Sequence, residues 1–311
     1  MAKEAYSELM KSLSENRFTF TGELEPVKTT NLHETLEGAR ALKGNVVAAN
    51  VTDNPTAFAY MNALVPCYVI QREVGLETVY QVTVRDRNRL ALVSDLLAAS
   101  ALGIKNVLAL TGDHIVVGDN PQAKPVYDLD SATFVHLLRK MMDEGIDLNG
   151  NKIDQPPKFC IGMAANPNAD PLEPEILKIE RKVKLGAHFV QTQAVYDIEL
   201  AKKFMELMSY LKVPVLVGIA PFKSIAMMEW MVKFVPGILV PQEIQDRLKK
   251  AKERGGKEAV YEENIEIFGE LIKEIKKTTN ASGIHIMTIG FEWIVPKIID
   301  RSGIQSGQRL P

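Results

Sequence analysis

The segment Thr78–Asp113, TVYQVTVRDRNRLALVSDLLAASALGIKNVLALTGD, contains the pattern that decides the fold. Its two ends, Thr78–Arg85 and Asn106–Asp113, are rich in β-branched and apolar residues, as is typical of buried strands. The stretch between them carries apolar residues at helical spacing, with Asn88 placed to cap its start and Gly103 placed to end it. A strand, a helix and a second strand in this order predict a right-handed βαβ unit with parallel strands.

The same unit recurs along the chain. Eight strand-like runs alternate with helical stretches, and they are Phe18–Glu25, Asn45–Asp53, Thr78–Arg85, Asn106–Asp113, Phe159–Asn166, Phe189–Tyr196, Val213–Pro221 and Gly283–Gly290. Eight strand–helix repeats favour a closed (β/α)8 TIM barrel of the α/β class. A doubly wound open sheet is the alternative, but the glycine-rich GxGxxG turn typical of such sheets follows none of the runs.

The predicted organisation is therefore one barrel domain over residues 17–300. A charged amphipathic helix is expected over residues 1–16. Residues 301–311 have no periodicity, which predicts either a disordered tail or a segment that binds a partner. The segments 114–131 and 145–158 are predicted to be long loops, and loops of this length in a compact domain are usually functional.

Composition limits the classes of function. The net charge of −2 gives no sign of the basic field that a nucleic-acid partner requires. No apolar run approaches the roughly 20 residues needed to span a bilayer, and the N-terminus lacks the apolar core of a signal peptide, so we expect a cytoplasmic protein. The two cysteines, Cys67 and Cys160, lie in apolar surroundings and form no metal-binding motif, so no metal is expected in this chain.

Polar residues of one parity gather toward the ends of several runs. They are Thr19, Thr21, Glu23 and Glu25 in the first run, Asn50, Thr52 and Asn54 in the second, Gln81, Thr83 and Arg85 in the third, Thr111 and Asp113 in the fourth, and Gln191 and Gln193 in the sixth. Side chains of one parity point into a barrel, whose active site lies at the C-terminal ends of the strands. Buried polar atoms are costly unless they are paired, so the pattern predicts a polar ligand site. A hydrogen-bonded plug between strands is the alternative.

Two carboxylates, Glu23 and Asp113, lie at such strand ends. A carboxyl group that is partly desolvated there can stay protonated near neutral pH and act as a general acid. Alternatively, Asp113 caps a turn, and Glu23 forms an ion pair with Arg85 or Lys28. His285, in the eighth run, is predicted to be a core histidine.

The strand-end motifs, taken in order, resemble the methylenetetrahydrofolate reductase family over residues 17–300. They are Gly22–Pro26 (GELEP), Val51–Asn54 (VTDN), Val82–Asp86 (VTVRD), Leu108–Asp113 (LALTGD), Ala164–Pro167 (AANP), Glu180–Ala187 (ERKVKLGA) and Gln191–Gln193 (QTQ). This resemblance implies a flavin-binding barrel that reduces 5,10-methylenetetrahydrofolate to 5-methyltetrahydrofolate by hydride transfer from the reduced flavin.

The resemblance also implies roles for individual residues. Glu23 falls on the family's catalytic acid, and Asp113 falls on the aspartate close to flavin and folate. Gln193 and Tyr196 fall on substrate-binding positions. The flavin-binding positions fall on Thr52, Gln81, Thr111, Gly112, Asp113, Tyr127, Ala164, Asn166, Asp170 and Lys182.

Three of these positions depart from the better-known bacterial pattern. Gln81 and Asp170 stand where that pattern has histidines, and Thr111 stands where it has an arginine. In the family these three residues support the flavin, so their absence leaves both FMN and FAD open as the cofactor. The chain also resembles the reductase subunits of anaerobic folate pathways. That likeness implies a partner subunit with zinc and iron–sulfur centres as the electron donor, and NAD(P)H and ferredoxin are the alternative donors. Formation of a homo-oligomer is a separate expectation. The rival interpretations are another flavin barrel, a pterin-binding methyltransferase, and a flavin-free binding or scaffold subunit.

Overall fold

The computed structural model describes residues 5–235 and 237–310. Within them, eight parallel strands pair in sequence order and β8 closes on β1. The strands are β1 (Thr19–Leu24), β2 (Ala48–Val51), β3 (Glu77–Thr83), β4 (Asn106–Leu110), β5 (Cys160–Ala165), β6 (Phe189–Ala194), β7 (Val215–Ile219) and β8 (Gly283–Ile286). The predicted (β/α)8 barrel is confirmed.

A helix precedes the first strand, and the others follow strands along the chain. The helices are α1 (Glu8–Ser14), α2 (His33–Leu42), α3 (Leu64–Glu73), α4 (Arg89–Ala101), α5 (Ser131–Arg139), α6 (Glu173–Lys184), α7 (Ile198–Met208), α8 (Ile225–Phe234), α9 (Gln242–Thr278) and α10 (Val295–Ser302). The Asn88 side chain accepts the Ala91 N–H at 3.0 Å and so caps α4 as predicted. Gly256, with φ of 66°, interrupts the helical geometry of α9.

The two ends of the barrel interior differ in chemistry. At the N-terminal end, Leu9 and Leu13 of α1 pack into an apolar cluster with Leu108, Phe189 and Leu216 from the strands. The first N–H groups of α1 are held by Glu77, whose carboxylate accepts from the backbone of Glu8 at 2.8 Å and of Leu9 at 3.0 Å. This end is therefore sealed, which leaves the C-terminal end for a site.

The terminal segments meet beside β1. Of the predicted helix over residues 1–16, residues 1–4 lie outside the described part of the chain, as does Pro311. Arg17 and Arg309 form an antiparallel bridge, and Phe18 donates its N–H to the carbonyl of Gln308 at 2.7 Å. The described part of the tail is thus tied to the barrel, where the sequence alone suggested disorder or a partner.

The loops after β4 and before β5 are long, as predicted. The first contains a short 3-10 turn, Ile115–Val117, and several exposed residues. Across residues 5–235 and 237–310, no helix has both the length and the apolar content to cross a membrane.

Candidate active site

A cleft of about 640 Å³ opens at the C-terminal ends of β2 to β6. The predicted site residues that line it are Gln81, Thr111, Gly112, Asp113, Ala164, Lys182 and Gln193. A smaller cavity of about 280 Å³ shares Gln81, Ala164 and Gln193 with it and also contacts Asn166. Several of the polar residues that the sequence placed at strand ends, from β2 to β6, therefore line one concave region at the C-terminal end of the barrel.

Glu23 lies at the C-terminal end of β1 beside this cleft. Its Oε2 accepts a hydrogen bond from Nε2 of Gln81 at 3.2 Å and lies 3.4 Å from Nε2 of His285. The alternative considered for Glu23, an ion pair with Arg85 or Lys28, is not formed. Arg85 pairs with Asp86, and Lys28 pairs with Asp119 on the loop after β4.

His285 is fully buried in β8, as predicted for a core histidine. Its Nδ1 lies 3.0 Å from Oγ1 of Thr21, while its other ring nitrogen faces Glu23. One hydrogen bond at each nitrogen fixes the orientation of the ring. The contact with Glu23 is not readable from the sequence, because the two residues come together only when β8 closes on β1.

Asp113 lies in the loop after β4, beyond the strand end at Leu110. Its Oδ2 accepts the N–H of Thr56 at 2.9 Å, and its carbonyl oxygen accepts from Nη1 of Arg85 at 3.1 Å. The carboxylate thus binds the loop after β2, whereas His114 caps the short turn that follows. Gly112, with φ of 88°, allows the chain to reverse there.

A buried guanidinium connects the loops beneath Asp113. Arg85 is 1% exposed, and Asp86 accepts from its Nε at 2.8 Å and from its Nη2 at 2.7 Å. A further bond from Nη2 reaches the carbonyl of Asn54 at 3.2 Å. Burial alone would raise the pKa of Asp86, but hydrogen bonds from Arg85 and Asn54 hold it below its ordinary value. Arg85 therefore links the loops after β2, β3 and β4, a role that the sequence did not reveal.

The outer rim of the cleft carries three cations of α6, Lys178, Arg181 and Lys182, and the start of α5 also lines it. Two of the cations have carboxylate partners there, since Lys178 pairs with Glu175 at 3.6 Å and Arg181 with Asp130 at 3.4 Å. Lys182 is 9% exposed, its Nζ donates to the carbonyl of Ala164 at 3.3 Å, and burial lowers the pKa of its ammonium group. Because cations and helix N-termini attract anions, this rim suits a phosphate group.

Comparison with known families decides what kind of barrel this is. The family model described as methylenetetrahydrofolate reductase matches residues 8–303. The chain belongs to the methylenetetrahydrofolate reductase family. The resemblance found in the strand-end motifs is thereby confirmed.

Individual relatives of the reductase family are distant. A methylenetetrahydrofolate reductase 1 of Schizosaccharomyces pombe is 26% identical over 256 residues, which cover 78% of this chain and 38% of that protein. A 5,10-methylenetetrahydrofolate reductase of Pectobacterium carotovorum is 23% identical, with 71% of this chain and 70% of that protein covered. The chain thus spans well under half the length of the yeast relative.

Among solved structures, an oxaloacetate acetylhydrolase in complex with oxalate superposes with a TM-score of 0.53 at 11% identity, covering 94% of this chain and 84% of that one. At this identity the likeness shows the barrel fold and nothing about chemistry. In the described part of the reductase-family chain, no group of His, Cys, Asp and Glu residues could hold a metal ion.

Some predicted site residues are not brought to the main cleft. Tyr196 is 3% exposed, stacks on Phe222 and donates its hydroxyl to the carbonyl of Ala220, so it is part of the apolar core. Asp170 and Tyr127 are exposed on loops and do not line the cleft. For these three residues the structure lends no support to the roles implied by the resemblance.

Glu25 is a titratable group that the sequence placed on the same parity as Glu23. Its pKa is raised from 4.5 to about 7, first by burial and then by the charges of Glu23 and Glu292, against an opposing hydrogen bond from Tyr60. The folded protein therefore holds the Glu25 proton between about pH 4.5 and pH 7, whereas the unfolded chain releases it. The contribution of Glu25 to folding stability therefore falls as the pH rises through this window.

We expect Glu25→Gln to remove the loss of folding stability that ionisation of Glu25 causes. The variant should be more stable than the wild type above pH 7 by about 2–3 kcal/mol, with the gain disappearing toward pH 4.5. Denaturant unfolding of both proteins at several pH values measures the difference. A gain of the same size at all pH values would mean that Glu25 does not titrate in this window.

Proposed function

We propose that the chain is a flavin-dependent reductase that converts 5,10-methylenetetrahydrofolate to 5-methyltetrahydrofolate. The observation that carries this proposal is the placement of Glu23 and Gln81 together at the polar C-terminal mouth of a barrel of this family. Glu23 stands at the position of the catalytic acid in the family. Gln193, which lines the cleft, is the proposed contact to the pterin ring.

The residues present fit a flavin. The hydroxyl oxygen of Thr52 is buried without a hydrogen-bond partner, directly before two residues that line the cleft. A buried polar atom of this kind favours a ligand that can pair with it. Lys182 and Arg181 would hold a flavin phosphate at the rim, and Thr111, Gly112 and Ala164 would border the cofactor. Both FMN and FAD carry phosphate, so the rim alone does not distinguish them.

When bound, the flavin supplies the hydride for the methylene carbon. The protein's own task is proton transfer. We propose that the Glu23 carboxyl donates its proton to the bridging nitrogen that leaves as the methylene bridge opens, so that the other nitrogen holds the carbon as an iminium ion. Asp113, at the cleft wall, supplies a negative charge that stabilises positive charge on the folate and tunes the flavin.

The cofactor test is direct. The purified protein should be yellow, should show flavin absorption, and should release one flavin whose mass identifies FMN or FAD. It should then reduce methylenetetrahydrofolate with a chemical or enzymatic electron donor. A colourless protein that takes up neither flavin would favour the alternative of a flavin-free binding or scaffold subunit.

The electron donor is a separate part of the proposal. The resemblance favours a partner subunit with zinc and iron–sulfur centres. Mixing the flavin-loaded chain alone with NADH, NADPH or reduced ferredoxin under anaerobic conditions tests this. Rapid bleaching of the flavin by a nicotinamide would make the partner subunit unnecessary.

A further inference from the structure

A chain of buried side-chain amides crosses the barrel interior beneath the cleft. Asn50 of β2, Gln81 of β3 and Gln191 of β6 are 0%, 7% and 6% exposed. Nδ2 of Asn50 donates to Oε1 of Gln191 at 3.1 Å, and Nε2 of Gln81 lies 3.4 Å from Oδ1 of Asn50. The chain ends at Glu23, whose Oε2 accepts from the same Gln81 nitrogen at 3.2 Å.

The chain has a direction. An amide has a donor end and an acceptor end, so its orientation follows from the partner at either end. Because Gln191 accepts from the nitrogen of Asn50, the oxygen of Asn50 faces Gln81. Gln81 must then present its NH2 group, and not its oxygen, to this part of the interior. Reversing one amide would bring two donors or two acceptors together in a buried space, which is costly.

The two oxygens of Glu23 are therefore unequal. Oε2 faces both Gln81 and Nε2 of His285, at 3.2 Å and 3.4 Å. The Gln81 NH2 group can only donate to Oε2, so this oxygen is the one that the protein holds, and Oε1 takes no part in these contacts. The titratable groups near Glu23 are Glu25, which follows the end of β1, and His285 of β8, while Gln81 faces it from β3 as a neutral donor.

We infer that Gln81 is a positioning residue for Glu23, and that Asn50 and Gln191 hold it in the orientation this requires. The inference rests on the proposed function, because it assigns to Gln81 the task of orienting the proposed acid. Gln81 also stands where the better-known bacterial pattern has a histidine. In this chain a neutral amide, fixed by two other amides, replaces a group that can itself change charge.

The test uses near-isosteric variants of the flavin-loaded protein. Gln81→Met removes the donor to Glu23, and Asn50→Leu breaks the chain one residue away. Gln191→Met breaks it at the far end. The measurement is the pH dependence of single-turnover methylenetetrahydrofolate reduction by the pre-reduced enzyme. A donor to a carboxylate favours its ionised form. Since the step needs a proton donor, losing this hydrogen bond should move the alkaline limb of the rate profile upward by about one unit in Gln81→Met.

Smaller upward shifts are expected for Asn50→Leu and, smaller again, for Gln191→Met, since each only loosens the orientation of Gln81. Asn106→Leu is the matched control. Asn106 is also a fully buried amide bonded to a carboxylate, Glu77, at 2.9 Å, but at the opposite end of the barrel. It should lower stability and leave the pH profile in place.

An unchanged profile in Gln81→Met, with the step abolished by Glu23→Gln, would overturn the positioning role and leave the proposed function standing. A step that survives Glu23→Gln would instead overturn the proposed function. If Gln81→Met does not fold, Asn50→Leu decides: an unchanged profile in that variant also rejects the inference.

Discussion

Glu23→Gln is expected to reduce the rate of methylenetetrahydrofolate reduction by about a thousandfold. Glutamine keeps the size of the side chain and an acceptor oxygen, but it has no acidic proton to give to the departing nitrogen. The half-reaction that reduces the flavin needs no such proton and should keep a rate close to that of the wild type. Stopped-flow absorbance of each half-reaction, measured separately, checks both expectations.

Glu25→Gln is the matched control, because Glu25 lies two residues away on the same strand parity. If Glu23 is the acid, the Glu25 variant should retain folate reduction to within a small factor. The opposite result, with turnover lost in Glu25→Gln and kept in Glu23→Gln, would transfer the role to Glu25. Its pKa of about 7 would suit a proton donor at neutral pH.

Strand-to-helix periodicity predicted the barrel well because the physical cause is local. Each strand needs a continuous apolar run, and each helix needs its own apolar stripe, so every unit carries its own pattern. The predicted runs extended beyond the C-terminal ends of the observed strands. Asn106–Asp113 was predicted as one run, but the strand ends at Leu110, and the backbone of the next three residues is irregular, with a positive φ at Gly112.

The location of the site was also predictable, since parity and strand direction place polar residues at one end of the barrel. The partners of each residue were not. An ion pair with a nearby cation was one alternative for Glu23, yet its neighbours are Gln81 and His285, 58 and 262 residues away in sequence. Such contacts depend on the closure of the barrel and on which loop each charge joins. Lys28 forms an ion pair with Asp119 on another loop, and Arg85 forms one with Asp86.

Arg87→Met is expected to lower the free energy of unfolding by about 3–5 kcal/mol. Arg87 reaches both carboxylate oxygens of Asp53, at 2.6 Å and 3.1 Å, and Asp53 is 1% exposed. Asp53 also accepts from the backbone and hydroxyl of Thr83. Removing Arg87 would leave a buried carboxylate without its cation, and that charge is far more costly inside the protein than in water. Urea unfolding of the purified variant measures the loss.

Arg89→Met is the matched control, because it removes an arginine–aspartate ion pair at the surface. Arg89 also pairs with an aspartate, Asp128, but both side chains are open to solvent and should contribute little. The double variant Asp53→Leu with Arg87→Met should recover part of the loss, because no unpaired charge stays buried. Equal, small losses in Arg87→Met and Arg89→Met would show that water reaches Asp53. In that case the contacts of Arg85 with Asn54 and Asp86, and the hydrogen bond between Asn54 and Asp86, would matter more than the Arg87 ion pair for this wall of the cleft.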